Sequence, residues 1–402
     1  MLNRRSLLAS GAALLAAPSI VKAQTVVGVT SEEIKIGSIM PYSGPASAYG
    51  AIGRLQQAFF KGVNEAGGIS GRRINFLSLD DGYQPPKTVE QTRRLVEQDR
   101  VAFLFNTLGT PGNTAIQRYV NQRKVPHLFL ATGADKWADP QNFPWTIGYQ
   151  PSYRTEAQIF TKYMLENDRN AKLGILYQND DFGKDYIAGV RDVLGARFDA
   201  VVKTVSYEVT DATIDSQVVQ LHGSGVDCLL TAATPKFAAQ TIRKVHDIGW
   251  RPKMHFLTDV SISVGSVMNP AGPEKGVGIL TAAYLKEPTD PTWQADPGMQ
   301  EWRAWMVKHM PDADQTDGNF VYSYGVSKCL MQVLTQCNGD FSRENVMKQA
   351  TSLNNVAIPT LINGITVGTS ASNFHPIRKM QLAKWDGKTW ERFGGLIEGA
   401  NV

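Results

Sequence analysis

The chain has 402 residues, 43% of them hydrophobic and 19% charged, which is enough apolar material for more than one core and excludes a disordered chain. Its 41 Lys and Arg against 37 Asp and Glu give a formal net charge of +4, and the chain without Arg4, Arg5 and Lys22 of its leader, three cations poorer, carries +1. No basic surplus therefore points to nucleic acid.

Residues 1–23 read as an export signal and not as part of the fold. Asn3-Arg4-Arg5-Ser6-Leu7-Leu8 resembles a twin-arginine motif. The apolar run from Leu7 to Ala17 is too short to span a bilayer, and Val21-Lys22-Ala23 offers the small residues of a cleavage point. No Cys near that point suits a lipid anchor, and no later stretch is apolar for long enough to cross a membrane. The expected location is the bacterial periplasm.

Strand-type and helix-type patterns then alternate. Ile34 to Ile39 alternates with period two and reads as a strand. Leu55, Phe59 and Val63 form a helical stripe that stops at Gly67-Gly68. Ile74 to Leu79, Val101 to Phe105 and His127 to Leu130 follow as strands, with helices carrying Val89 to Val96 and Ile116 to Val120 between them. The cycle restarts with strands at Leu173 to Tyr177, Val201 to Tyr207, Asp227 to Leu230 and Met254 to Leu257, and a helix from Phe237 to Ile248. Such alternation predicts parallel sheets covered on both faces, and two sets of four predict two similar lobes, joined near Trp145 to Pro151. Asp296 to His309 and Tyr322 to Gln336 read as helices packed back on the first lobe, and Met380 to Trp390 as a terminal hairpin around Asp386-Gly387. Cys329 and Cys337, eight apart in one helix, are separated by about 12 Å of rise, too far for a disulfide. With Cys228 they are expected as buried thiols.

Ligands of parallel α/β sheets bind outside the carboxyl ends of the strands. The loops there carry Pro41-Tyr42-Ser43-Gly44-Pro45 running on to Tyr49-Gly50, then Thr107-Leu108-Gly109-Thr110-Pro111-Gly112-Asn113, and Ala131-Thr132-Gly133. In the second half the matching places hold Asp180-Asp181-Phe182-Gly183, Ala233-Thr234-Pro235-Lys236 and Thr258-Asp259-Val260-Ser261. Any one such loop is more often a helix cap than a ligand contact, and Asp180-Asp181 reads first as a cap. Six converging loops make the case for a cleft. The segment Thr110 to Asn113 opens a helix, whose free N–H groups suit a carboxylate. Catalytic signatures are missing: there is no nucleophile elbow, no zinc-protease pair, no P-loop and no dinucleotide fingerprint after a strand. The six His are dispersed, and Asp80-Asp81 reads as a loop-fixing pair and not a metal site. No metal and no cofactor is expected.

At these loops the sequence resembles the periplasmic type I binding proteins of the leucine/isoleucine/valine-binding branch, which serve ABC importers. The carrying stretches are Ile34 to Gly37 with Ser43-Gly44-Pro45 and Tyr49-Gly50, Asn64-Glu65-Ala66-Gly67-Gly68-Ile69-Ser70-Gly71, Asp80-Asp81, Lys124-Val125-Pro126, and Asp181-Phe182-Gly183-Lys184. The resemblance implies two doubly wound, Rossmann-like α/β lobes joined by a hinge of about three crossings. It divides the chain into residues 24–146 plus 281–357 for lobe 1, and 147–280 plus 358–402 for lobe 2. It implies a ligand carboxylate held by Leu108, Gly109, Thr110, Ala131 and Thr132, with Tyr49 approaching from the first loop beside Tyr42 and Ser43. Phe182, Thr234 and Asp259 would close from the second lobe.

The chain departs from the amino-acid binders of this family. Gly109-Thr110-Pro111-Gly112 stands where they are Ser-rich, Phe182 and Thr234 stand where they have Tyr, and only Asp259 is left to pair with a ligand ammonium. Fewer polar contacts and more rings imply a bulkier, aromatic carboxylate, as in the family's aromatic-acid subgroup. The expected role is capture of such a small-molecule carboxylate by a non-enzymatic monomer that hands it to the membrane permease of an ABC importer. A branched-chain or other amino-acid binder, and a subunit presenting ligand to a sensor, are the alternatives.

Overall fold

The computed structural model describes residues 26–399; the expected export signal lies outside them. Chain order builds the first sheet from β1 (Glu33–Met40), β2 (Arg73–Asp80), β3 (Phe103–Phe105), β4 (His127–Leu130) and β5 (Thr146–Gly148), with α1 (Gly50–Glu65), α2 (Pro85–Arg93) and α3 (Thr110–Gln122) as its crossovers. The strand order is β2-β1-β3-β4-β5 and every pairing is parallel. All residues of β3 and β4 are buried, as an unbroken apolar run requires of a strand covered on both faces.

The second lobe repeats the plan. It contains α4 (Tyr153–Asn167), β6 (Leu173–Gln178), α5 (Asp181–Leu194), the short α6 (Phe198–Val201), β7 (Val202–Tyr207), α7 (Asp215–Gly223), β8 (Cys228–Ala232), α8 (Pro235–Asp247), β9 (Met254–Leu257), the short α9 (Asn269–Ala271) and β10 (Leu280–Ala283). Its parallel strands run β7-β6-β8-β9-β10, the order of the first sheet again. Two antiparallel strands, β11 (Lys379–Trp385) and β12 (Trp390–Glu398), extend it beyond β10. Trp385 and Trp390 anchor this hairpin, their indole N–H groups donating to Pro273 O and Ile262 O at 2.8 Å each. Its turn is wider than a two-residue one, because the Asp386 carboxylate accepts from the amides of Lys388 and Thr389. The helices α10 (Pro297–His309), α11 (Gly318–Gln336) and α12 (Arg343–Ala350) precede the hairpin. Both α10 and α11 pack on α1 of the first lobe.

The chain therefore passes between lobes three times: after β5, after β10, and between α12 and β11. Each parallel array has five strands and not the four expected. The missed members are three and four residues long, too short to show a period. The expected boundaries after residues 146 and 280 fall inside β5 and β10. All three Cys are free and buried.

Close packing of α4 on α5 depends on Gly189. A Cβ there would stand 2.8 Å from the Ala157 Cβ and overlap the Arg154 carbonyl. Gly189→Ala, worth about 1 kcal/mol of helix propensity on an open helix, is instead expected to cost about 1–3 kcal/mol through overpacking. A denaturant midpoint that stays level or rises would contradict this contact.

Candidate functional site

Loops at the carboxyl ends of β1, β2, β3 and β4 in lobe 1 and of β6, β8 and β9 in lobe 2 line a common space. The first chamber between them has about 320 Å³ of empty space, including its open mouth. From lobe 1 it is lined by Tyr49, Tyr83, Leu108, Gly109, Thr110 and Ala131, from the first crossing by Gln150, and from lobe 2 by Tyr153, Phe182, Thr234 and Val260.

The floor is the first turn of α3. Gly109, its N-cap, has φ 95°, a left-handed region that favours glycine, and a Cβ there would press within 2.6 Å of the Tyr83 ring. Asn113 fixes the turn by donating to Thr107 O and Gly109 O at 2.9 and 2.8 Å, and Thr107 is bonded in turn to His127 Nε2. Burial holds His127 down at about 3, so this support is neutral. Because Pro111 has no N–H and Asn113 N bonds Gly109 O, the free amides of the first turn are those of Thr110 and Gly112, and the positive dipole end lies at Gly109 and Thr110, which line the chamber.

Thr110 Oγ1 lies 2.6 Å from Thr132 Oγ1. Thr132 Oγ1 already accepts from Ala134 N and Trp137 Nε1, at 3.3 and 3.4 Å. With the Thr132 proton on Thr110, the Thr110 proton would be left for a guest; Tyr153 is the other acceptor within reach of Thr132. Thr132 thus stands behind Thr110 and not in the chamber wall. Trp137 is buried against the same Thr and lies outside the wall as well.

Opposite, Asp180 caps α5 by accepting from Phe182 N and Gly183 N at 3.0 and 3.4 Å, the capping role read in the sequence. The cap places the Phe182 ring in the chamber. Burial pushes Asp180 up to about 6. Thr234 is held by its amide on the Tyr207 hydroxyl at 3.0 Å.

Tyr42 and Ser43 do not belong with the others. Their amides donate to Asp80 Oδ1 at 2.9 and 3.2 Å, Ser43 Oγ donates to Asp80 Oδ2 at 2.5 Å, and the Tyr42 hydroxyl meets Ser78 Oγ at 2.6 Å. These bonds pin the first loop to the end of β2, away from the chamber. Only Tyr49, at the end of a 3-10 turn, points inward. Asp81 accepts from Tyr83 N and Thr88 Oγ1 at 2.8 and 2.6 Å, a loop-fixing role that also sets Tyr83 in place. Sequence reasoning passed over Tyr83, Gln150 and Tyr153; an aromatic just past the β2 loop was the available signal.

Asp259 lines a second chamber, which meets the first at Tyr49, Gln150 and Val260. Its backbone N donates to Glu156 Oε1 at 2.9 Å, and Glu156 and Thr258 share the Tyr186 hydroxyl. The Asp259 carboxyl is within hydrogen-bond reach of the Glu156 carboxyl and the Val260 amide, and among the described residues its Oδ1 receives no hydrogen bond from another donor. Burial raises both carboxyls, and the Asp259 charge raises Glu156 further; Asp259 stands at about 7. Two acids so placed cannot both be ionised at neutral pH. Among the described residues, no cluster of His, Cys, Asp and Glu could hold a metal ion, and no helix is long and apolar enough to cross a membrane.

The lobes are in contact over the cleft. The Tyr49 hydroxyl donates to Val260 O at 3.0 Å, Asp135 N to Asp185 Oδ2 at 2.8 Å, and Lys136 Nζ lies 3.1 Å from Asp181 Oδ2.

The profile of a family described as "Periplasmic binding protein" matches residues 33–389. Leu/Ile/Val-binding protein homolog 7 of Brucella suis is 22% identical over 370 residues, which covers 89% of this chain and 90% of that one. A branched-chain amino acid ABC transporter protein of Thermus thermophilus, solved with bound valine, superposes with a TM-score of 0.80 at 14% identity, covering 92% of this chain and 97% of that one. A solute-binding protein of R. palustris, solved with 4-hydroxybenzoate, superposes at 0.76 and 16% identity, covering 92% and 98%.

Each interlobe hydrogen bond is worth about 0.5–1.5 kcal/mol net. The double variant Tyr49→Phe/Asp185→Ala is therefore expected to open the unliganded chain, seen as a larger radius of gyration in small-angle scattering. An unchanged radius would show that these contacts do not hold the lobes together.

Proposed function

Since this chain belongs to the periplasmic binding protein family, we propose that it captures a small organic carboxylate between its lobes and delivers it to the membrane permease of an ABC importer. In this reading it is a monomer without catalytic activity, exported to the periplasm by the Arg4-Arg5 signal. The observation that carries the proposal is the Thr110 hydroxyl at the open N-terminus of α3, in a chamber walled by Tyr49, Tyr83, Tyr153 and Phe182. The donors suit a carboxylate and the rings suit a flat apolar body. An acid without an α-ammonium is favoured, because the Glu156–Asp259 pair can keep a proton and needs no ligand cation to balance it.

Asp259 Oδ1, which receives no other hydrogen bond among the described residues, favours a second reading, in which the ligand is an amino acid whose ammonium supplies one. Proton linkage separates the two. In the unliganded site Asp259 titrates at about 7. A ligand that brings only negative charge raises it further, so binding takes up a proton and affinity falls as pH rises above about 7. An α-ammonium lowers it, so binding releases a proton and affinity rises as pH approaches about 7 from below.

Calorimetric titrations of benzoate-type acids and of leucine across this range are the test. The proposal expects the acids to bind, to weaken above neutrality, and to lose about tenfold in Thr110→Val, the equivalent of a charge-assisted hydrogen bond. Leucine binding with affinity that climbs toward neutrality would replace the aromatic-acid reading with the amino-acid one.

A further inference from the structure

We propose that the two chambers form one continuous site, and that its ligand is an elongated monocarboxylate whose far end donates a hydrogen bond in the second chamber. The inference rests on the carboxylate-capturing function and names the class of ligand.

The chambers share a boundary of Tyr49 from lobe 1, Val260 from lobe 2 and Gln150 from the first crossing, and the Tyr49 hydroxyl donates to Val260 O across it at 3.0 Å, a bond that a ligand spanning this neck displaces. The neck is therefore completed only when the lobes come together. The second chamber is the larger, with about 740 Å³ of empty space including its mouth. A guest confined to the first would leave the larger apolar wall, formed by Ile262, Ala283, Leu285 and Val321, without a partner.

The polar groups at the far end select the chemistry of the ligand's tail. Lys286 is 2.8 Å from Asp296. Arg392 gives Nη1 to Gln381 at 3.2 Å and Nη2 to Thr292 at 3.1 Å, while its Nε, 3.6 Å from Asp290, has no hydrogen-bond partner among the described residues. Asp290 and Asp296 balance both cations, and the other free groups are carboxyl oxygens. Glu287 takes the Thr289 amide and hydroxyl on Oε1 alone, at 3.0 and 2.9 Å, which leaves Oε2. Asp259 Oδ1, beside the Glu156 carboxyl, is buried and receives no other hydrogen bond among the described residues. A second ligand carboxylate would meet two acids here, whereas a hydroxyl or amide N–H would meet acceptors.

The test is titration calorimetry of benzoate, phenylacetate, 3-phenylpropanoate and 5-phenylpentanoate against the wild type, Ala283→Leu and Val321→Phe. Each methylene that passes the neck is expected to tighten wild-type binding about fourfold. Either replacement fills the second chamber, so it is expected to abolish that gain while leaving benzoate affinity unchanged, which also reports that the variant is folded. A 4-hydroxyl on the ring of the longest acid is expected to be tolerated, and a 4-carboxyl to cost at least tenfold. Long acids that bind the wild type no better than benzoate overturn the inference and leave the capture of a short carboxylate standing. A diacid that binds as well as the monoacid, or replacements that spare the long acids, overturn it in the same way. If none of these acids binds at all, the proposed function fails together with the inference.

Discussion

Parallel strands cannot be joined by a tight turn, so each strand of the two five-stranded arrays returns through a crossover and every carboxyl end falls on one edge of its sheet. That constraint places the polar, Gly-rich loops together within each lobe. Two arrays of the same strand order, linked by three crossings, then set those edges face to face. The cleft is a consequence of the topology. The carboxyl ends of β3 and β4 supply Thr110 and Thr132, and the segments after β6, β8 and β9 supply Phe182, Thr234 and Asp259.

Burial sets the electrostatics of the cleft. Carboxyls gathered in a space lined by Tyr153, Tyr186, Tyr284 and Tyr322 are costly as charges, and Glu156 and Asp259 respond by moving toward neutrality. At the opposite end, the neutral Thr107–His127–Asn113 network holds helix amides in place without supplying charge. One end of the cleft is thus short of negative charge and the other has it in reserve. In the proposed function this asymmetry would give the pH dependence of binding its sign and would orient a guest that carries a single carboxylate.

Much of the fold was legible because buried parallel strands leave unbroken apolar runs, such as Phe103-Leu104-Phe105, and because glycines mark the ends of α1 and α8. The strands β5 and β10 were not legible, since three or four residues carry no period. Within the site, the loop after β1 shows where local reading ends. Tyr42, Ser43 and Tyr49 look alike in sequence, yet Asp80, 37 and 38 residues further on, captures the first two while a 3-10 turn directs the third inward. The second chamber was invisible for the same reason. Its walls come from Asp259 to Ser263, Tyr284 to Pro288 and Gly318 to Tyr322, segments that meet only through the hinge.

The central claim is that a single carboxylate seats on the first turn of α3 when the lobes close. A crystal structure of the mature chain with 3-phenylpropanoate tests it most directly. The account predicts the ligand carboxylate within hydrogen-bond distance of Thr110 Oγ1 and the Gly112 amide, with the ring directed past Tyr49. A carboxylate bound away from α3, or a ligand held on one lobe with the cleft open, would contradict it.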